Sequence, residues 1–159
     1  MKLDNQWVVL GGFCVASFVA AAIGGTATGG AVQDWYPTLA KPSWTPPAWL
    51  FGPVWTLLYI AMAVAAWLVW RRVGWDGARL ALLMFFIQLT LNAVWSVVFF
   101  GLRNPGAAFA EIVVLWVAIV VTALLFWKVT PAAGWLFLPY LVWVSFATAL
   151  NFAIWRLNS

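Results

Sequence analysis

Histidine is absent from this 159-residue chain, and Cys14 is its only cysteine. That excludes His- or Cys-based metal sites, Cys–His nucleophiles and disulfides within one chain. Charge is scarce as well: 8% of the residues are Asp, Glu, Lys or Arg, and only four are carboxylates. A hydrolase built on paired acids has little to work with. Apolar residues make up 66% of the chain and aromatic ones 18%, including 14 tryptophans, and the mean hydropathy is +0.99. The polar face that a soluble domain needs is missing, so the composition specifies an integral membrane protein. The formal charge of +4, carried largely near helix ends, suggests anionic headgroups as partners and not nucleic acid.

Five apolar segments, at about 7–28, 47–70, 79–102, 107–129 and 134–156, are each near or above the ~20 residues that span a hydrocarbon core. Their periodicity is helical or featureless, not alternating, which argues against a β-barrel. The expected fold is an all-α, multi-pass membrane protein, a single domain over residues 1–159 built as a five-transmembrane-helix bundle. The first segment reads as a retained span and not a cleaved signal, because Asp4 accompanies Lys2 and the apolar run is long. Gly12, Ala16, Ala20 and Gly24 recur every fourth residue along it. This stripe suits close helix packing within one bundle or a dimer seam. GGTATGG (24–30) should loosen the helix end. The positive-inside rule sets Lys2, Arg71, Arg72, Arg79 and Lys128 against Lys41, Arg103 and Arg156, and so puts the N-terminus and the loop RRVGWDGAR in the cytoplasm.

Between the first two segments lies a stretch unlike the rest. Asp34 to Tyr59 contains four tryptophans, two tyrosines and five prolines. Pro37, Pro42, Pro46 and Pro47 forbid a continuous helix and favour an extended strap. From Val32 to Thr45 such a strap would reach roughly 40 Å at about 3 Å per residue. That is far more than neighbouring helices require, so the loop at about 31–46 reads as a lid over a site between helices. Helix 2 should begin near Pro47 and bend at Pro53.

The candidate site follows from what else breaks the apolar pattern. Gln88, Asn92 and Ser96 form a polar stripe on helix 3 that must face protein, ligand or water. Interhelical hydrogen bonding and ligand contact both explain it, and Trp95 stands beside it. Trp55 and Tyr59 lie on one face of helix 2, deeper than an interfacial belt requires, whereas Trp49, Trp67 and Trp70 suit such a belt. On helix 5, Trp143, Ala147 and Asn151 repeat every fourth residue with Thr148 beside them, and Pro139 should kink the helix. A large ring above a small residue leaves a slot for a planar molecule and is equally ordinary packing. Glu111, the one carboxylate within a span, suits the start of helix 4 and a pairing with Arg103. With Trp35 and Trp44 from the lid, the candidate ligand-binding set is Trp35, Trp44, Trp55, Tyr59, Gln88, Asn92, Trp95, Trp143, Ala147 and Asn151. Aromatic slabs, a few amides and a lid suit a large, flat, apolar ligand. No cofactor or metal is required by these residues.

WYPTLAKPSWTPPAW, GPVWTLLY, QLTLNAVWSVVFFGLR and PYLVWVSFATALNFAIWR, in this order, resemble the translocator protein family, also called the tryptophan-rich sensory protein or peripheral benzodiazepine receptor family. The similarity covers nearly the whole chain. It implies five transmembrane helices, frequent homodimers, a pocket closed by the first loop, and binding of porphyrins, notably protoporphyrin IX. In some members it also implies cholesterol and synthetic isoquinoline or benzodiazepine ligands. Carried over by motif, the pocket residues are Trp55, Asn92, Trp143 and Ala147. Some bacterial relatives degrade protoporphyrin in light, which would make Trp55 and Trp143 the catalytic pair. One departure stands out: Phe152 occupies the place of the tyrosine in the family's sterol-recognition pattern, which weakens the expectation of sterol as a partner. The short termini lean towards a bacterial cell envelope.

Three functions therefore compete: a porphyrin-binding membrane protein that senses, carries or buffers tetrapyrroles; a light- and oxygen-dependent porphyrin-degrading activity; and a structural or partner-binding subunit without a small ligand. An ion-coupled transporter fits poorly, because Glu111 is the only acidic residue in a span and no inverted repeat is visible.

Overall fold

The computed structural model describes residues 4–159; Lys2, counted above for orientation, lies outside them. Five helices among these residues are long and apolar enough to cross a membrane. They are α1 (Asp4–Asp34), α2 (Phe51–Gly77), α3 (Arg79–Ser96), α4 (Pro105–Val129) and α5 (Pro131–Leu157). A π-helical turn, Val97–Gly101, extends α3, and two 3₁₀ turns, Tyr36–Thr38 and Ala48–Leu50, lie in the lid.

The helices close into a ring in the order α1, α2, α5, α4, α3 and back to α1, with α2 also touching α3 and α4 across it. Alanine makes this central position possible: Ala63, Ala65 and Ala66 on α2 are fully buried, as are Met62 and Val69. Away from the lid the ring is solid. Phe85 meets Phe13 edge-on at 5.7 Å and stacks on Phe126 at 6.2 Å, and Phe126 meets Phe137 at 5.0 Å. α4 and α5 approach most closely through glycine at both ends. A Cβ on Gly106 would meet Trp155 Nε1 at 2.9 Å, and one on Gly134 would collide with the Trp127 ring.

Several expectations about element ends are corrected. GGTATGG does not loosen α1, which continues helically to Asp34. Packing holds this end instead: Gly24 lies so close to α3 that a Cβ there would meet Ser96 Oγ at 3.0 Å. Thr28 Oγ1 also donates back to the Gly24 carbonyl at 2.6 Å. The lid is correspondingly shorter and is folded instead of extended. α2 starts at Phe51, which places Pro53 in the first turn, where no amide donor is needed, and the only non-helical residue in α2 is Gly74. The segment read as the loop RRVGWDGAR is therefore mostly helix, broken at Gly74 (φ 71°, ψ −174°), a conformation open to glycine and strained for other residues. Beyond that break Trp75 folds back against Trp70 and Phe13, each at 5.9 Å. α5 continues across Pro139.

Two side-chain expectations also change. Trp49 is exposed as a belt residue should be, but Trp67 and Trp70 are buried. Trp67 stacks on Trp7 at 5.8 Å and donates its indole N–H to the Gln6 carbonyl at 3.0 Å. Glu111 does not pair with Arg103. α4 starts at Pro105 and has no acidic residue in its first turn, which leaves Glu111 nearly two turns inside. Asn104 caps the helix instead, its Oδ1 accepting from the Ala107 amide at 3.0 Å. Both Glu111 carboxylate oxygens are buried without a hydrogen-bond partner among the described residues.

Candidate functional site

At the lid end the ring is hollow. A cavity of about 550 Å³ lies between α1, α2, α3 and α5, within the ~300–1,000 Å³ range of small-molecule sites. Its floor is a hydrogen-bonded layer. Tyr59 on α2 donates to Asn92 Oδ1 at 2.6 Å, and Asn92 Nδ2 on α3 donates to Tyr140 Oη on α5 at 3.0 Å. A second amide ties the opposite wall: Trp95 Nε1 donates to Asn151 Oδ1 at 3.0 Å, and Asn151 Nδ2 donates to the Pro105 carbonyl at 2.8 Å. All three helices supplying the floor are positioned by the aromatic core beneath it.

Aromatic faces make the walls. Trp55 sits one turn above Tyr59 with ring centroids 5.6 Å apart and meets Tyr140 at 6.2 Å. Trp143 meets Phe51 edge-on at 5.7 Å, and Ala147, one turn on, leaves the space beside it open. The indole N–H groups of Trp55 and Trp143 have no hydrogen-bond partner among the described residues, whereas those of Trp67, Trp95 and Trp116 do. No charged side chain lines the cavity. Its chemistry is therefore stacking and orientation of an apolar ring system, with no nucleophile–base pair in the lining.

The lid covers this space with Tyr36 and Ala48. Lys41 holds it in shape, its Nζ donating to the carbonyls of Tyr36 (2.7 Å) and Leu39 (2.9 Å) and lying 4.9 Å from the Tyr36 ring centroid. Burial raises the Tyr36 phenol above its ordinary value of 10. The Asn158 side chain clasps the lid at Ala40, accepting its N–H at 3.0 Å and donating to its carbonyl at 2.9 Å.

Seven of the ten residues singled out in the sequence line the cavity: Trp55, Tyr59, Asn92, Trp95, Trp143, Ala147 and Asn151. The other three do not. Gln88 is fully buried one turn below Asn92, beneath the floor, with its Nε2 3.8 Å from Met62 Sδ. Trp35 packs edge-on against Phe99 at 5.7 Å and Trp44 against Phe146 at 5.7 Å, so both anchor the lid from outside. Sequence reasoning missed the α1 wall, including Phe18, Ala21, Gly24 and Thr28, together with Phe99 and Phe100 of the π-helical turn. A signal for α1 existed in the small-residue stripe: Gly24 lies against Ser96, where a Cβ would meet Oγ at 3.0 Å, while Gly12 has open space around it. Tyr140, the hidden floor residue, carries no sequence signal beyond its own hydroxyl. Phe152 is partly exposed and packs on Phe109 at 5.1 Å, outside the cavity.

The sequence has recognisable relatives. Residues 13–156 match the model of the TspO/MBR family. This chain belongs to that family. It is 44% identical over 149 residues to the tryptophan-rich protein TspO of Archaeoglobus fulgidus, covering 91% of this chain and 96% of that one. Identity to the tryptophan-rich protein TspO of Chlorobaculum tepidum is 43% over 157 residues, covering 97% and 99%. The human translocator protein is 38% identical over 154 residues, covering 96% of this chain and 91% of its own. Family membership and five helices long and apolar enough to cross a membrane together make this an integral, multi-pass membrane protein.

Proposed function

We propose that this TspO/MBR member binds a porphyrin of the protoporphyrin IX class in the lidded cavity and acts in tetrapyrrole sensing, transport or stress regulation. The observation that carries this reading is an uncharged cavity walled by Trp55 and Trp143 over an amide floor. A planar macrocycle gains about 0.5–1.5 kcal/mol per aromatic contact beyond area burial. The cavity lining offers no cation, so the ring sits inside and the propionates project at the lid end, towards water. Asn92 is engaged on both sides by tyrosines, so it orients the walls more than it reads the ligand.

The test is a dark titration of the purified full-length protein with protoporphyrin IX, following tryptophan quenching and the porphyrin absorption band. Trp143→Phe and Ala147→Leu should each weaken saturable binding by about tenfold, through one lost stacking surface and one filled slot. Binding that never saturates, or that ignores both changes, would overturn the reading in favour of a subunit with no small ligand.

A second reading, porphyrin breakdown under light with oxygen as the oxidant, is favoured by one observation: both unpartnered indoles face the same cavity. Illumination should then consume porphyrin absorbance with a new bilindione-like product. An unchanged product yield in the Trp55→Phe, Trp143→Phe double variant would sink it.

A further inference from the structure

A second recess lies at the opposite end of the bundle from the lid, where α2 runs out beside the α4–α5 connection. It encloses about 380 Å³ and is lined by Leu68, Arg71, Arg72, Val129, Thr130 and Pro131. Leu68, Val129 and Pro131 give it an apolar wall. Arg71 and Arg72 give it two guanidiniums, and no carboxylate among the described side chains pairs with either. Arg71 is already fixed: its guanidinium carbon lies 4.5 Å from the Trp67 ring centroid, and Trp67 is tethered through its N–H to the Gln6 carbonyl. Thr130 is the N-cap residue of α5, yet its side chain makes no cap hydrogen bond, so its hydroxyl is available as a donor. α4 ends where α5 begins, so their opposed dipole ends offset each other and the local field is that of the guanidiniums. Arg79 and Lys128 near the same end add to it, against Asp76.

We propose that this recess is a binding site for a phosphate group, with Arg71, Arg72 and Thr130 as donors and the headgroup of an anionic membrane lipid as its source. Planar guanidinium forks match phosphate oxygens in pairs, and such charge-assisted bonds are roughly twice as strong as neutral ones. Arg71 follows the start of α2 at Phe51 by about 20 residues, the length that crosses a hydrocarbon core, which sets the site at the level of lipid phosphates, and the wall formed by Leu68, Val129 and Pro131 can receive the first carbons below a headgroup. This goes beyond a general attraction of basic residues to an anionic surface: it names three side chains on two elements and exempts Arg79, which is exposed at the same end but outside the recess.

The experiment uses the purified full-length protein in phosphatidylcholine nanodiscs with and without phosphatidylglycerol, reading the thermal midpoint and, by native mass spectrometry, the lipid retained. Phosphatidylglycerol should be retained saturably and raise the midpoint. Arg72→Gln and Thr130→Val should each weaken retention several-fold, and Arg71→Gln with Arg72→Gln by about tenfold or more. Arg79→Gln should behave as wild type. The Arg72→Gln and Thr130→Val variants leave the Arg71–Trp67 stack intact and so separate loss of the site from misfolding. Inorganic phosphate, added to phosphatidylcholine-only nanodiscs, distinguishes the source. A midpoint rise lost in the same variants supports the site and makes the free anion sufficient, whereas a rise with phosphatidylglycerol alone supports it and assigns the lipid. Equal loss in Arg79→Gln, or no preference for phosphatidylglycerol over phosphatidylcholine, would overturn the proposal.

Discussion

At the scale of single residues, the two buried asparagines beside the cavity have both ends of their amides matched. Asn92 uses its carbonyl for Tyr59 and its amide for Tyr140, and Asn151 does the same with Trp95 and Pro105. Tyr59→Phe would leave Asn92 Oδ1 buried without a donor and should destabilise the protein by about 1–3 kcal/mol. Thermal unfolding in detergent, compared with Leu57→Ala on the lipid-facing side of α2, checks this; Leu57 is exposed, and its loss should cost little. Among the described residues Ser17 Oγ, Trp70 Nε1 and Gln88 Oε1 are buried without a partner, and Glu111 is the extreme case, with both carboxylate oxygens buried and unpartnered. Glu111→Leu should therefore raise the thermal midpoint, because an unpaired buried polar group is exchanged for an apolar one.

At the scale of elements, glycine decides how closely helices approach. Gly134 lies under Trp127 with no room for a Cβ, so Gly134→Ala must push α4 and α5 apart or displace the indole. A loss of about 1–3 kcal/mol is expected from overpacking. Gly25→Ala, at a position with open space around it, should be neutral or slightly stabilising, since alanine favours the helix. Unfolding midpoints of the two variants in the same detergent check the contrast. Both are glycines in apolar helices, and nothing in their local sequence separates them.

At the scale of the whole molecule, the chain's end holds its lid. Asn158 binds Ala40 through two hydrogen bonds across 118 positions of sequence, joining the C-terminus of α5 to the loop that covers the cavity. Asn158→Ala should leave the bundle's midpoint nearly unchanged but speed release of a bound porphyrin several-fold, as two exposed hydrogen bonds of about 0.5–1.5 kcal/mol each are lost from the closed lid. Stopped-flow displacement under dim light measures this. An unchanged release rate would mean that the cavity empties by a route other than the lid. Such a route is present in outline: Phe18, Ala22 and Gly25 on α1 and Gly52 and Thr56 on α2 line the cavity and are also exposed.

Five spans, their approximate places and seven of the side chains that line the cavity were legible in the sequence, because those depend on composition and on helical spacing alone. Trp55 with Tyr59, and Trp143 with Ala147 and Asn151, share a face wherever a helix forms, so their grouping needed no tertiary information. Which faces meet is another matter. The ring order α1, α2, α5, α4, α3 is set by how bulky and small side chains interlock around the alanines of α2, and no local pattern encodes it. That order brings Tyr140 under Asn92, puts α1 into the wall of the cavity and leaves Gln88 below the floor. Helix ends escaped sequence reasoning for a related reason. Glycine lowers local helix propensity and arginine interrupts the apolar run, but tertiary packing overrides such local signals, so α1 runs on through its glycines to Asp34 and α2 past Arg71 and Arg72. Sequence determined the materials and the membrane; packing decided the site.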